Sequence, residues 1–377
     1  MNFAKVLVYK AVLGLLRSAR LGTPKPAAGV VLFKPDRIGD FVLGTGLVRL
    51  CCDLFRGRPV VLVTSSLVAP LARRELQGIQ VVKVPYGKQS LRGSLISSYV
   101  AARRALRDVK GGILVSICYH PTLYEDLLLE GFGSGASYGC AGTDLGTCPE
   151  LSRSRRFRPT HEFDYPKATK RGQPPLELEA HRRLGELIAG RPVSLEEVWP
   201  GLRTFQSQGN GTLLVLPRGS QPVRDYPPEL LASAIALAKL PPHAEVRICG
   251  EESVKGELEN LAASITRRSG HNNVRLVCPG SVLGLAEEIA ASQCVLTMES
   301  AGAHLATALD KPAVIILGGG HFGLFSPWQN SARQRWLWRE TDCYNCDWEC
   351  RHSRPLCITG IPAERIGACI HELWQQT

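Results

Sequence analysis

Short apolar runs alternate with amphipathic stretches along most of the chain, the pattern of strands feeding helices. Gly29–Lys34 (GVVLFK) reads as a strand, followed by a loop and a helical pattern from about Asp40 to Phe55. Further runs at Pro59–Thr64, Ile79–Val84 and Gly112–Cys118, with helix-compatible stretches such as Ser98–Arg107 between them, predict a parallel sheet with crossover helices. The pattern breaks at Ala141–Pro175, a polar stretch containing Arg153, Arg155, Arg156, Arg158, Lys167, Lys170 and Arg171 against Glu162 and Asp164, and no core is expected from it. A helix is expected at Leu176–Ala189. Arg191–Asn210, with Pro192, Pro200, Gly201 and Gly209, reads as a linker. The alternation restarts with strands at Thr212–Leu216, Glu245–Cys249, Val274–Val277, Cys294–Thr297 and Ala313–Leu317.

The fold class is therefore α/β, two Rossmann-like doubly wound domains facing a central cleft. The division is a basic N-terminal helix at 1–28, a first domain at 29–190, a linker at 191–211, a second domain at 212–342, and a Cys-rich loop with a C-terminal helix at 343–377. That last helix, through Ile366, Ile370 and Trp374, is expected to return to the first domain.

Length and charge narrow the picture. A chain of 377 residues with 44% hydrophobic and 21% charged residues builds packed cores and is neither a stapled mini-protein nor disordered. Lys and Arg outnumber Asp and Glu by 45 to 34, a net +11, which favours an anionic partner. From Met1 to Lys34 every charge is basic (Lys5, Lys10, Arg17, Arg20, Lys25, Lys34). Four of these interrupt Phe3–Leu21, so no bilayer span is expected there; contact with a membrane surface and a plain docked helix both stand. Thirteen cysteines, an odd count, without a secretory cleavage pattern point to a reducing compartment, and a cytoplasmic protein is expected.

Candidate chemistry gathers at the ends of the predicted strands. Lys34-Pro35-Asp36-Arg37-Ile38-Gly39-Asp40 leaves the first strand and opens a helix. Asp40 there is either a cap on exposed backbone N–H groups or a carboxylate aimed at a ligand. After the first strand of the second domain comes Pro217-Arg218-Gly219-Ser220, followed by Arg224. A glycine, a hydroxyl and two arginines suit phosphate, although the run is neither a Walker A nor a GxGxxG sequence, and an ordinary turn is the alternative. Glu299-Ser300-Ala301-Gly302-Ala303-His304 opens another helix with small residues, which admit an anion to its N-terminal amides. Glu299 suits sugar hydroxyls, whereas His304, inside the helix, suits a packed core. Cys343, Cys346, Cys350 and Cys357 fall as C-x2-C-x3-C-x6-C and suit a structural zinc or iron, with free thiols as the alternative.

Taken together, VLFKPDRIGDFVLGTGLVRL, LPRGSQPVRDYPPELL and MESAGAHLATALDKPAVIILGGGHFGLFSPW resemble the lipopolysaccharide heptosyltransferases, glycosyltransferase family 9. The resemblance implies a GT-B fold, with the acceptor on the N-terminal domain and the nucleotide sugar on the C-terminal one. It implies inverting transfer of a heptose-like sugar from an ADP-sugar to an anionic, lipid A-linked saccharide, without a metal for the chemistry. By resemblance Asp40 is the catalytic base, and Arg224, where relatives usually carry Lys, offsets the leaving diphosphate. Gly219, Ser220, Glu299, Ser300, Ala301, Gly302 and His304 line the donor, and Lys34 and Arg37 the acceptor. Relatives often read Asp-Ser-Gly where this chain reads Glu299-Ser300-Ala301, a narrower pocket. Work at the cytoplasmic face of a membrane is expected, and no nucleic acid. The competing classes are a nucleotide-sugar epimerase and a catalytically silent sugar-nucleotide or nucleic-acid binder.

Overall fold

Twelve strands among the described residues carry the architecture. Those of the first half are β1 (Val30–Lys34), β2 (Val60–Ser65), β3 (Gln80–Val84), β4 (Ile113–Ser116), β5 (Ala136–Cys140) and β6 (His161–Phe163). Those of the second are β7 (Thr212–Leu216), β8 (Glu245–Cys249), β9 (Val274–Val277), β10 (Cys294–Met298), β11 (Ala313–Ile316) and β12 (Gln334–Leu337). The computed structural model describes residues 29–86, 94–109, 111–132, 135–141, 157–166, 175–206 and 209–376. The expected basic helix at 1–28 lies outside the described residues, as do Arg153, Arg155, Arg156, Lys167, Lys170 and Arg171 of the basic stretch.

Both sheets are wholly parallel, in the orders β3-β2-β1-β4-β5-β6 and β12-β11-β10-β7-β8-β9. Each chain path starts in the middle, works outward, then jumps to the other side of its first strand. β1 and β7 are consequently buried along their whole length, and apart from Lys34 and Thr212 at their ends their sequences are continuous apolar runs rather than alternations. The strand order reverses between β1 and β4 and again between β7 and β10. Such reversals part the loops at the carboxyl ends of the strands and leave a crevice for ligands. Val31, Phe33, Val63 and Leu114 lie in the first core; Leu213, Val215, Ile248, Leu296 and Ile316 lie in the second.

Two compact units result. The first runs through Arg37, resumes at Gly44 and again at Glu179, and ends at Trp199; the second holds Ile38–Leu43, the segment ending at Leu178, and everything from Pro200. The stretch expected as a linker is structured: Val193 and Val198 are buried in the first unit. A Cβ on Gly46 would lie 2.1 Å from the Val198 carbonyl oxygen, so only glycine fits that crossing.

Three expectations need correction. Ala141–Pro175 does contribute to a core, because Phe157 is buried there and β6 closes the sheet edge. Polar side chains hold the adjoining backbone: Ser137 N–H donates to Thr160 Oγ1 at 2.8 Å, and Thr160 N–H to Ser137 Oγ at 2.9 Å. The C-terminal helix Ala363–Gln375 packs within the second unit, against helix Pro228–Leu237, not on the first. Ile366, Ile370, Leu373 and Trp374 join the second core, and Gly367 lets the helices close, since a Cβ there would meet the Ala234 carbonyl at 2.8 Å. Finally β5, β6 and β12 are strands the hydrophobic pattern does not announce.

Candidate functional site

The loop after β1 is organised by a buried cation. Lys34 is 1% exposed; its ammonium pairs with Asp36 at 2.7 Å and donates to the Ile117 carbonyl at 3.1 Å. Asp36 also accepts from Cys118 Sγ at 3.1 Å, and its carbonyl accepts from Ser65 Oγ at 3.1 Å. The loops after β1, β2 and β4 are thereby tied at the strand reversal of the first unit. Lys34 is turned inward, while Arg37 is exposed and donates from Nε to Tyr86 Oη at 2.9 Å.

Helix Ile38–Leu54 follows, with Asp40 half-buried in its first turn. Its opening residues, Ile38–Leu43, belong to the second unit, and there Gly39 meets His304: a Cβ on Gly39 would lie 2.8 Å from His304 Cδ2. The absence of a side chain lets the turn carrying Asp40 pack on the helix that starts at Ser300. His304 is buried, and Nδ1 accepts from Trp328 Nε1–H at 3.0 Å. Burial lowers its pKa to about 4, so the imidazole is neutral with its proton on Nε2.

On the second unit's strand reversal, the loops after β7 and β10 converge. Gly219 N–H donates to Asp225 Oδ1 at 2.6 Å, and Arg218 Nε pairs with Asp225 Oδ2 at 2.9 Å and with Glu257 through Nη1. A Cβ on Gly219 would come 2.6 Å from Arg224 Cβ, so glycine lets the arginine fold back over the loop. The Arg224 guanidinium carbon sits 4.3 Å from the Trp348 ring centroid. Ser220 is exposed. Ser300 caps helix Ala301–Ala308, its Oγ accepting from Gly302 N–H at 3.2 Å. A Cβ on Gly302 would approach Leu216 Cδ1 to 2.4 Å, which seats the helix tightly on the end of β7. Ala301 is half-buried at the helix start.

Glu299 points inward. It is 5% exposed; Oε2 accepts from Gly318 N–H and Oε1 from Ser326 Oγ, both at 3.3 Å. Burial raises its pKa from 4.5 to about 7, against the opposing charge of Arg224 and the two hydrogen bonds. Between those pH values the folded chain keeps a proton that the unfolded chain has lost. The associated stability is thus full below pH ~4.5 and is lost as pH rises to ~7, about 3 kcal/mol at ~1.4 per pH unit. Glu299→Gln keeps both hydrogen bonds, because the amide oxygen accepts from Gly318 and the amide NH2 donates to the Ser326 hydroxyl. Urea unfolding from pH 4 to 8 should show the variant gaining on the wild type across this window; parallel profiles would contradict the assignment. Glu125, raised by burial to about 7, leaves its own slope in both proteins.

The cysteine loop packs beside this site. Cys343, Cys346 and Cys350 are half-buried and Cys357 is buried. Burial holds the Cys357 thiol above its usual value; a backbone hydrogen bond from Gly319 opposes this, and the charges of Cys343, Cys346 and Cys350 add to it. The loop thus brings the other three cysteines close enough for their charges to reach Cys357. Among the described residues, the grouping with ligand atoms within 4.8 Å of one another is Asp342, Cys343 and His352, which shares only Cys343 with the sequence motif.

The residues sequence reasoning missed are mostly partners: Asp36 for Lys34, Ser326 for Glu299, Trp328 for His304 and Trp348 for Arg224. Nothing in the sequence pairs these residues with their partners.

The model of glycosyltransferase family 9 (heptosyltransferase) matches residues 156–353, just over half of the chain. The fold is shared with E. coli heptosyltransferase WaaC with ADP, at 16% identity over 91% of this chain and 99% of that one, TM-score 0.65. E. coli ADP-heptose lps heptosyltransferase II is 16% identical over 92% and 99%, also with TM-score 0.65. The iron-containing dodecameric glycosyltransferase TibC from enterotoxigenic E. coli H10407 is 11% identical over 94% and 78%, TM-score 0.53. A search of curated proteins returned no match. The two parallel six-stranded sheets are those of a GT-B fold.

Proposed function

The chain belongs to glycosyltransferase family 9 and is a glycosyltransferase, and from that premise we propose that it moves a heptose-like sugar from an ADP-sugar to a lipopolysaccharide core, with inversion. The observation that carries the residue assignment is the packing of the Gly39-Asp40 turn on the helix begun by Ser300. Asp40 takes the proton of the acceptor hydroxyl as that oxygen forms its bond to the anomeric carbon from the face opposite the leaving group. The bond from that carbon to the diphosphate breaks, and ADP leaves with the electron pair. Arg224 and the amides at the start of helix Ala301–Ala308 offset the charge that develops on the diphosphate. Gly219, Ser220, Ala301 and Gly302 let the donor approach backbone closely. Glu299 shapes the pocket wall from behind, and the neutral His304 holds the Asp40 turn. The exposed Arg37 meets the anionic acceptor, and Lys34 keeps its loop in place through Asp36.

ADP in the WaaC structure and ADP-heptose in the name of heptosyltransferase II support the choice of donor. The acceptor is a lipid-linked anion, and the net charge of +11 suits work at the cytoplasmic face of a membrane. Among the described residues no helix is long and apolar enough to cross one. Cys343, Cys346, Cys350 and Cys357 would hold a structural zinc or iron, a reading supported by the iron of TibC. Such a metal supplies cross-linking of the loop and takes no part in the transfer. Elemental analysis should find about one metal per chain, lost in a Cys346→Ser, Cys350→Ser protein.

Thermal shift tests the donor. A ligand at ~100 times its Kd stabilises the native state by about 2.7 kcal/mol, so ADP-heptose should raise Tm by several degrees where GDP- and UDP-sugars do not. Absence of any response to ADP-sugars would contradict the proposal.

A further inference from the structure

Trp348 lies between Cys346 and Cys350, and its indole is fixed on several sides. Gly318 and Gly320 form its floor: a Cβ on either would come within 2.4 Å of the ring. Its Nε1–H donates to His321 Nδ1 at 3.3 Å, and His321 Nε2 in turn donates to Asp347 Oδ1 at 2.6 Å. The backbone is bent to achieve this. Asn345, Asp347 and Trp348 have φ of 60°, 50° and 64°, a left-handed region that a bulky residue rarely adopts. Asn345 and Asp347 N–H groups hold the bend by donating to the Gly319 and Gly320 carbonyls at 2.7 and 3.2 Å. The ring is left against the Arg224 guanidinium, whose carbon is 4.3 Å from the centroid, and the Arg224 charge also acts on Glu299.

We propose that Trp348 is a positioning residue for Arg224, and that the cysteine loop serves the transfer reaction by presenting this indole. The inference rests on the reading of Arg224 as the diphosphate's counter-charge. A guanidinium stacked on an aromatic face is held by the ring while its N–H groups donate in its own plane, the geometry that suits phosphate oxygens. Stacking also restricts a long, flexible side chain before the donor arrives, so less ordering remains to be done on binding. Trp348 touches neither the reacting carbon nor the acceptor in this account; its effect passes through Arg224.

The test compares wild type, Trp348→Leu, Trp348→Phe, Arg224→Ala and the Trp348→Leu, Arg224→Ala double variant. ADP affinity is measured by calorimetry, and kcat and KM for ADP-heptose by ADP release. Trp348→Leu should weaken ADP binding and lower kcat/KM on the order of 10-fold. Trp348→Phe, which keeps a flat ring, should recover most of that loss. In the Arg224→Ala background Trp348→Leu should cost nothing further, since the group it positions is gone. An equal loss from Trp348→Leu in both backgrounds, or a Phe variant no better than Leu, would overturn the positioning role while leaving Arg224's role intact. An Arg224→Ala protein with wild-type ADP affinity and turnover would overturn the reading of Arg224, and this inference with it.

Discussion

An Asp40→Asn protein should bind ADP-heptose as the wild type does and lose acceptor-dependent transfer by roughly 10²–10⁴-fold, the contribution of a positioned general base. Asparagine keeps the shape of the side chain in the first turn of its helix but cannot accept a proton. Because Asp40 is half-buried beside a glycine that already contacts His304, the isosteric change leaves the packing of the turn in place. Single-turnover transfer and donor calorimetry on the same preparation separate the two effects. Donor affinity falling in parallel with transfer would mean that the carboxylate holds the site together instead of acting on the acceptor hydroxyl.

Arg224→Ala should lower kcat by roughly 10²–10³-fold, the range for removing one preorganised group that stabilises developing charge. The diphosphate is anionic before reaction and gains charge as the sugar bond breaks, so on the proposed role the loss should show in both donor binding and turnover, with the larger share in turnover. A rise in KM alone would assign it uniform binding without transition-state stabilisation. Arg224→Lys restores the charge without the flat face that lies on Trp348, and should fall between the two.

How much of this the sequence discloses depends on what holds each element. β7, β8 and β9 are read at their true ends, since apolar or half-apolar runs there are bounded by Gly, Pro or polar turns. β5 (ASYGC) and β6 (HEF) are illegible because their stability comes from the sheet edge and from Ser137 and Thr160 exchanging hydrogen bonds. β12 (QRWL) is another edge strand, with Gln334 buried against the Lys311 carbonyl at 3.1 Å. Within the site, the strand-end loops are legible as places, because the strand order that creates them follows from the alternation of elements. Side-chain direction is not. Lys34 reads as a ligand cation, yet a partner two residues on and a carbonyl 83 residues away turn it inward. Glu299 reads as a sugar contact, and its burial between Gly318 and Ser326 depends on the cover that the loop after β11 provides.

The most direct measurement is ADP release from ADP-heptose by purified protein with a heptose-deficient lipopolysaccharide core, followed by NMR of the product's anomeric centre. One ADP per acceptor glycosylated, with the configuration at the anomeric carbon inverted, is the result predicted. Retained configuration, or release of ADP with no sugar on the acceptor, would contradict a direct displacement driven by Asp40.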